Sequence, residues 1–332
     1  MPVMPPSARL GRLRRNAFAV LGRAGMDLYA DPPGARIEHA HAFTTALGGS
    51  AANIAVALAR QGAGASLISV VSDDAVGRFC LAELDRYGIG RTHVRAEGGQ
   101  ARTSLAVVET RAQDCQSVIY RNGAADFALT EADVAAVDIA GLGAMVVTGT
   151  ALASEPSRGA TFDAIARARA AGIAVVMDVD YRPYSWTSRA EAQAVCLRAA
   201  SGCDIVVGND VEFDLLGGSP GSGLTAARDL VAKGAAIAVY KMGERGAVTI
   251  TSEGEDATGI YPVTALKPTG AGDAFMGGFL AALAQGRPVR NAVLRGSAAA
   301  AMVVARIGCA PAMPTVAEVD AFLADRPEPC SV

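Results

Sequence analysis

Apolar positions in this chain fall into short blocks that alternate between two periods. Residues 17–22 form a continuous apolar run, the pattern of a strand buried on both faces, followed by a loop carrying Asp27, Asp31 and the turn Pro32-Pro33-Gly34. From 50 to 61 the side chains of Ile54, Ala55, Leu58 and Ala59 repeat at helical spacing up to Gly62, a residue suited to ending a helix. The pattern then predicts a strand at 67–71 and a helix from Asp73-Asp74 to about Tyr87. Between 92 and 121 it turns to strict alternation, with Thr103, Leu105 and Val107 on one side and Ser104, Ala106 and Val108 on the other. Antiparallel strands are expected there, forming with residues 35–46 a small sheet that would serve as a lid.

Beyond the lid the strand-then-helix rhythm resumes. Thr130-Glu131-Ala132-Asp133 has the spacing of a helix start. Strands are expected at 144–148, 174–178, 205–207, 235–240, 247–251 and 259–263, and helices at 156–171, 189–200, 271–285, 289–304 and 315–323. This alternation predicts an α/β fold with a mostly parallel sheet covered on both faces, whose active site lies beyond the carboxyl ends of the strands. One core domain spans 17–325, with a disordered tail at 1–16 and a short tail at 326–332.

Composition narrows the class. With 332 residues, 51% of them hydrophobic, the chain can bury a large core. A net charge of −3 from 30 basic and 33 acidic residues offers no cationic field for nucleic acid. Arg12, Arg14 and Arg15, near Pro2, Pro5 and Pro6, read as part of a solvated tail. No apolar run approaches the roughly 20 residues that span a bilayer, and no signal-peptide pattern opens the chain, so a cytoplasmic protein without membrane contact is expected. The cysteines at 80, 115, 196, 203, 309 and 330 form no C-x-x-C pair, which argues against a zinc site or disulfide framework. His39 and His41 would share a strand face, read as solvated rather than metal-binding.

Two glycine motifs carry the chemistry. In Lys267-Pro268-Thr269-Gly270-Ala271-Gly272-Asp273-Ala274-Phe275, glycines at 270 and 272 let backbone N–H groups converge on an anion where a helix begins. Asp273 stands at the mouth of that cradle, placed to accept a proton from a hydroxyl. In Gly48-Gly49-Ser50-Ala51-Ala52-Asn53 the glycines admit a ligand against the backbone, and Asn53 offers donor and acceptor to a polyol one turn into the next helix.

Through these two signatures, more than 200 residues apart and in order, the chain resembles the ribokinase-like sugar kinases, the PfkB family, over about 18–323. The resemblance implies a three-layer α/β/α core with a β-sheet lid, ATP as phosphoryl donor and Mg2+. It implies that Asp27, Gly48, Gly49 and Asn53 hold the sugar, that Asp273 is the catalytic base, and that Gly270, Ala271 and Gly272 form the anion hole. Asn209 and Glu212 match the family's Asn-x-x-Glu element, which organises magnesium and phosphates, the glutamate through water. Lys241, Gly243 and Gly246 match the nucleotide loop, with lysine where threonine is usual, and Thr269 adds to that nucleotide set. Where many relatives carry an aspartate of a potassium-binding loop, this chain has Lys267; an ammonium there would replace the cation and make activity potassium-independent. A lid that pairs with another subunit's would give a homodimer.

Two arginines bear on the substrate. Arg182, in Asp178-Val179-Asp180-Tyr181-Arg182-Pro183-Tyr184-Ser185-Trp186, follows a buried strand, and Tyr120-Arg121 lies near the lid. Guanidinium groups converging on one pocket suit a carboxylate. Both segments resemble those of kinases acting on keto sugar acids, 2-keto-3-deoxygluconate kinases among them. With Gly22-Arg23-Ala24-Gly25-Met26-Asp27-Leu28-Tyr29 the likeness is to enzymes that phosphorylate the terminal hydroxyl of 5-dehydro-2-deoxy-D-gluconate in inositol catabolism. A 2-keto-3-deoxygluconate kinase or fructokinase-like sugar kinase, and a sugar-acid sensor on the same fold, are the alternatives. A dinucleotide fingerprint lacks its third glycine, and no Walker motif occurs.

Overall fold

The apolar blocks become parallel strands because each is buried on both faces: in Ala17–Leu21, Phe18 and Val20 enter one core while Ala19 and Leu21 enter another. Each fully buried Val, Leu or Ile in such a strand contributes roughly 1.5–3 kcal/mol. The sheet is therefore a rigid floor for the loops at its edge. The computed structural model describes residues 4–111 and 113–329.

The described residues form thirteen strands: β1 (Ala17–Leu21), β2 (Gly25–Asp31), β3 (Ala42–Gly48), β4 (Gly64–Ser72), β5 (Gly90–Glu97), β6 (Ser104–Val108), β7 (Ser117–Tyr120), β8 (Ala144–Thr148), β9 (Ala174–Asp178), β10 (Ile205–Asn209), β11 (Ile237–Lys241), β12 (Ala247–Thr251) and β13 (Gly254–Thr258). Nine form the main sheet in the order β13-β12-β11-β10-β9-β8-β1-β4-β5, parallel from β11 to β5 and antiparallel at the β12 and β13 edge. Helices Ser50–Arg60, Ala271–Ala284 and Val289–Val304 pack on one face, and Ser157–Ala170, Arg189–Ala200 and Gly223–Ala232 on the other. The remaining four strands, in the order β3-β2-β6-β7, form the lid. This is the ribokinase-like α/β architecture with its small second sheet.

Three expectations need correction. Residues 6–15 are ordered: Pro6–Leu10 is a helix, Gly11–Arg15 a 3-10 turn, and Leu13 is buried. What holds them is Arg9, whose Nε lies 2.9 Å from Asp204 Oδ1, with both side chains almost wholly inaccessible. Arg15 likewise donates to the carbonyls of Ala140 and Leu142. Residues 1–3 lie outside the described residues. Second, the lid begins at β2, where a loop was expected, while β5 joins the main sheet parallel to β4. Third, the strand expected at 259–263 lies at Gly254–Thr258; Tyr261 packs edge-on against Phe322, 5.5 Å between ring centres, and Pro262 lacks the N–H a ladder needs.

Cys80, Cys115, Cys196, Cys203 and Cys309 are free, and Cys330 lies outside the described residues. Among the described residues no helix is long and apolar enough to cross a membrane, and no cluster of three or more His, Cys, Asp or Glu side chains could hold a metal.

Candidate active site

The helix Ala271–Ala284 starts at Gly270, whose φ of 84° lies in the left-handed region, and no side chain caps it. Its first N–H groups are therefore open to an anion. A Cβ on Gly270 would sit 2.9 Å from Cys309 Sγ, so space as well as backbone favours glycine there. Thr269 Oγ1 is buried without a partner beside this cradle.

Asp273 lies in the first turn of the same helix and accepts a 2.9 Å hydrogen bond from Asn53 Nδ2, 220 positions away in sequence. The fold thus joins the two glycine motifs at one point. Asn53 Oδ1 is buried and unpartnered, an acceptor waiting for a donor. Gly48 and Gly49 join the lid strand β3 to the helix Ser50–Arg60 that carries Asn53, and a Cβ on Gly48 would lie 1.9 Å from Asp27 Oδ1. Asp27 is held in turn by the Tyr29 hydroxyl at 3.0 Å. Burial raises the Asp27 carboxyl above its usual range, against the opposing charge of Arg23.

A cleft of about 740 Å³ runs past Asp273 and is lined by Asn209, Glu212, Lys241, Gly243, Gly246 and Gly270 among others. Asn209 and Glu212 form a reciprocal cap: Asn209 Oδ1 accepts from the Glu212 N–H at 2.9 Å, and Glu212 Oε2 from the Asn209 N–H at 2.7 Å. This box opens a helix directly after β10 and fixes both residues at the sheet's carboxyl edge. Lys241 ends β11 next to them, and a Cβ on Gly272 would be only 3.5 Å from its Nζ. The unusual lysine therefore aims its ammonium at the anion cradle. Lys267 is wholly buried and donates to the Thr269 carbonyl at 2.5 Å. Burial pushes it below the usual lysine range, and Cys309, Asp273 and Asp27 are the groups that pull it back. It is no solvated loop charge.

Asp273 itself is pushed up to about 7, by burial first and then by the charge of Asp180, against the Asn53 hydrogen bond and the charges of Arg182 and Lys241. Burial likewise raises Asp178 and Glu212, with Lys241 opposing. Carboxylates thus crowd the cleft, with the Lys241 ammonium as a counter-charge common to all three.

A model of the pfkB family carbohydrate kinases matches residues 16–316. The chain belongs to the pfkB family of carbohydrate kinases. Family members 40% and 37% identical to it are the 5-dehydro-2-deoxygluconokinases of Photobacterium profundum, aligned over 89% of this chain and 91% of the relative, and of Geobacillus kaustophilus, over 92% and 93%. Among solved structures, a Vibrio cholerae fructokinase double mutant bound to fructose, ADP and potassium ion superposes with a TM-score of 0.81 at 28% identity, covering 92% of this chain and 98% of that one. A putative E. coli ribokinase II in complex with ATP and Mg2+ shares the fold, with a TM-score of 0.83 at 21% identity over 93% of this chain and 99% of that one. The protein is a sugar kinase.

Within this pfkB site the arginines are more committed than the motifs implied. Arg121 is buried, paired with Asp126 and donating to the Thr150 carbonyl at 3.0 Å, with Nε and Nη1 unpartnered. Arg182 pairs with Asp180 at 2.9 Å. Tyr120, by contrast, is 60% exposed on the lid and does not line the cleft. Two acids went unassigned in the sequence: Asp178 ends β9 in the cleft wall, and Asp180 takes a φ of 38° to meet Arg182 and the Thr150 hydroxyl. Their signal was a pair of acids directly after a wholly apolar strand.

Proposed function

We propose that this protein transfers the γ-phosphoryl group of ATP to the terminal hydroxyl of 5-dehydro-2-deoxy-D-gluconate. The observation that carries a sugar kinase site is the Asn53–Asp273 hydrogen bond, with the free Asn53 acceptor beside it. The names of the relatives carry the substrate. Asn53 Oδ1 and the Asp27 carboxylate accept from sugar hydroxyls. The reacting hydroxyl lies at Asp273, which accepts its proton as the oxygen attacks in line; a carboxyl near 7 is a base matched to neutral pH. The open N–H groups after Gly270, with Thr269 and Lys241, balance the charge of the transferring phosphoryl group. Gly243 and Gly246 shape the wall beside the nucleotide.

Mg2+ fits this donor set. With no three-carboxylate cluster among the described residues, it would be held mainly by phosphate oxygens, with Glu212 and Asp178 on the cleft wall. Bound there it neutralises phosphate charge. Lys267 supplies the fixed cation beneath the Thr269–Gly270 turn, so activity is independent of potassium. A homodimer joined through the lid belongs to the same reading: Phe43, Val118 and Tyr120 leave it 38%, 44% and 60% exposed. So does a cytoplasmic location, where ATP is available.

Coupled ADP release across 5-dehydro-2-deoxygluconate, 2-keto-3-deoxygluconate, fructose and ribose tests the reading. The first should give the highest kcat/KM. A higher value for a neutral sugar would overturn the acid assignment, and binding without ADP release by any of them would favour a sensor.

A further inference from the structure

The charges of three guanidinium groups bear on one phenol of the cleft lining, that of Tyr184. Burial raises Tyr184 above the usual range while the charges of Arg23, Arg182 and Arg121 pull it down, that of Arg23 most strongly. Two of the three already face carboxylates, Arg121 with Asp126 and Arg182 with Asp180. Arg182 moreover acts on Asp273 and Glu212, which sets it toward the phosphoryl end. Arg23 differs. It is 8% exposed, and among the described residues its single side-chain hydrogen bond runs from Nη1 to Ser104 Oγ at 2.9 Å and it forms no ion pair with a carboxylate.

Its place in the fold is equally specific. Arg23 occupies the three-residue link between β1 of the main sheet and β2 of the lid, at the carboxyl edge where ligands bind in such sheets. Its carbonyl accepts from the Ala52 N–H, and a Cβ on Gly49 would fall 2.4 Å from that oxygen, so its backbone touches the sugar loop. Gly25 keeps the path of the side chain open, since a Cβ there would meet Nη1 at 3.0 Å. Four residues on, Asp27 feels the charge of Arg23.

We propose that Arg23 takes the carboxylate of the sugar acid and is the residue that makes this kinase select acids over neutral sugars. The inference rests on the acid-substrate reading above. With the terminal hydroxyl at Asp273 and the middle hydroxyls at Asn53 and Asp27, the carboxylate end reaches the hinge. There a guanidinium with unused donors offers a charge-assisted pair. Because Ser104 belongs to lid strand β6, the same contact ties substrate binding to the position of the lid.

The test compares wild type, Arg23→Met and Arg23→Lys on 5-dehydro-2-deoxygluconate and on the neutral ketose in which a hydroxymethyl group replaces the carboxylate. Arg23→Met should raise KM for the acid by about 30-fold or more, cut the acid-to-neutral ratio of kcat/KM by a similar factor, and leave KM for ATP within about threefold. Arg23→Lys keeps the charge and should recover part of the loss. If wild type shows no preference for the acid, the substrate reading fails. If wild type prefers the acid and Arg23→Met lowers both substrates equally, that reading stands and the role of Arg23 is overturned. Should Arg23→Met not fold, Arg23→Lys decides alone: a lowered acid-to-neutral ratio of kcat/KM is expected, and a ratio unchanged from wild type would overturn the role of Arg23.

Discussion

Asp273→Asn should make the protein more stable as it makes it inactive. In the unfolded chain an aspartate ionises near its ordinary value of 3.8, whereas the folded site holds Asp273 protonated up to about 7. Ionising it in the fold therefore costs stability, a cost absent below the unfolded value, growing as pH rises, and complete above the folded one. A difference of about 3 units corresponds to roughly 4 kcal/mol at 1.36 kcal/mol each. Water entering the open cleft screens part of this, leaving about 2 kcal/mol. Asparagine cannot ionise and nearly conserves the shape that Asn53 contacts. Thermal unfolding at about pH 8 should show a rise of a few degrees in Tm, shrinking toward zero near pH 4. Removing a general base lowers kcat by roughly 10²–10⁴-fold. An inactive variant whose Tm gain is absent, or the same at both pH values, would refute the claim that Asp273 is a charge the fold resists.

In wild type, kcat/KM should rise with pH through an apparent value near 7 as Asp273 loses its proton, and a flat profile between about pH 5 and 8 would remove it as the base. Rates should be equal within about twofold in potassium and in tetramethylammonium; a large potassium activation would mean that Lys267 does not replace the cation. Lys241→Met should lower kcat by about 10- to 100-fold and raise KM for ATP, whereas an unchanged kcat would take its ammonium away from the phosphates. Arg9→Ala leaves Asp204 charged and buried, so denaturant titration should show a loss of about 3–5 kcal/mol; a loss below 1 kcal/mol would return residues 6–15 to the status of a tail.

Most of the main sheet was legible because strands such as Ala174–Asp178 are buried at every position, and a continuous apolar run between helical stripes has few other readings. Polar elements were not. Gly254–Thr258 is an edge strand of Gly, Glu, Asp, Ala and Thr whose pairing with β12 leaves no apolar signature. The lid strand Gly25–Asp31 was hidden by its function, since its inward positions include Asp27, a carboxylate held for sugar hydroxyls where a core strand would place an apolar residue. The order of residues 6–15 depends on Asp204, 195 positions from Arg9, and nothing local announces it.

The candidate site divides in the same way. Glycines with demanding geometry, Gly49 at φ 92° and Gly270 at φ 84°, mark it in the sequence because few other residues could stand there. Charge partners are set by the fold. That Arg121 and Arg182 are already paired while Arg23 is not could be seen only once Asp126, Asp180 and Ser104 had positions.

The most direct test of the central claim is the product itself. The chain is incubated with ATP, Mg2+ and 5-dehydro-2-deoxy-D-gluconate, and the mixture is followed by ³¹P NMR. A phosphate ester on the terminal carbon, formed in step with ADP, is expected. ATP consumed without a sugar ester, or an ester at any other carbon, would contradict it.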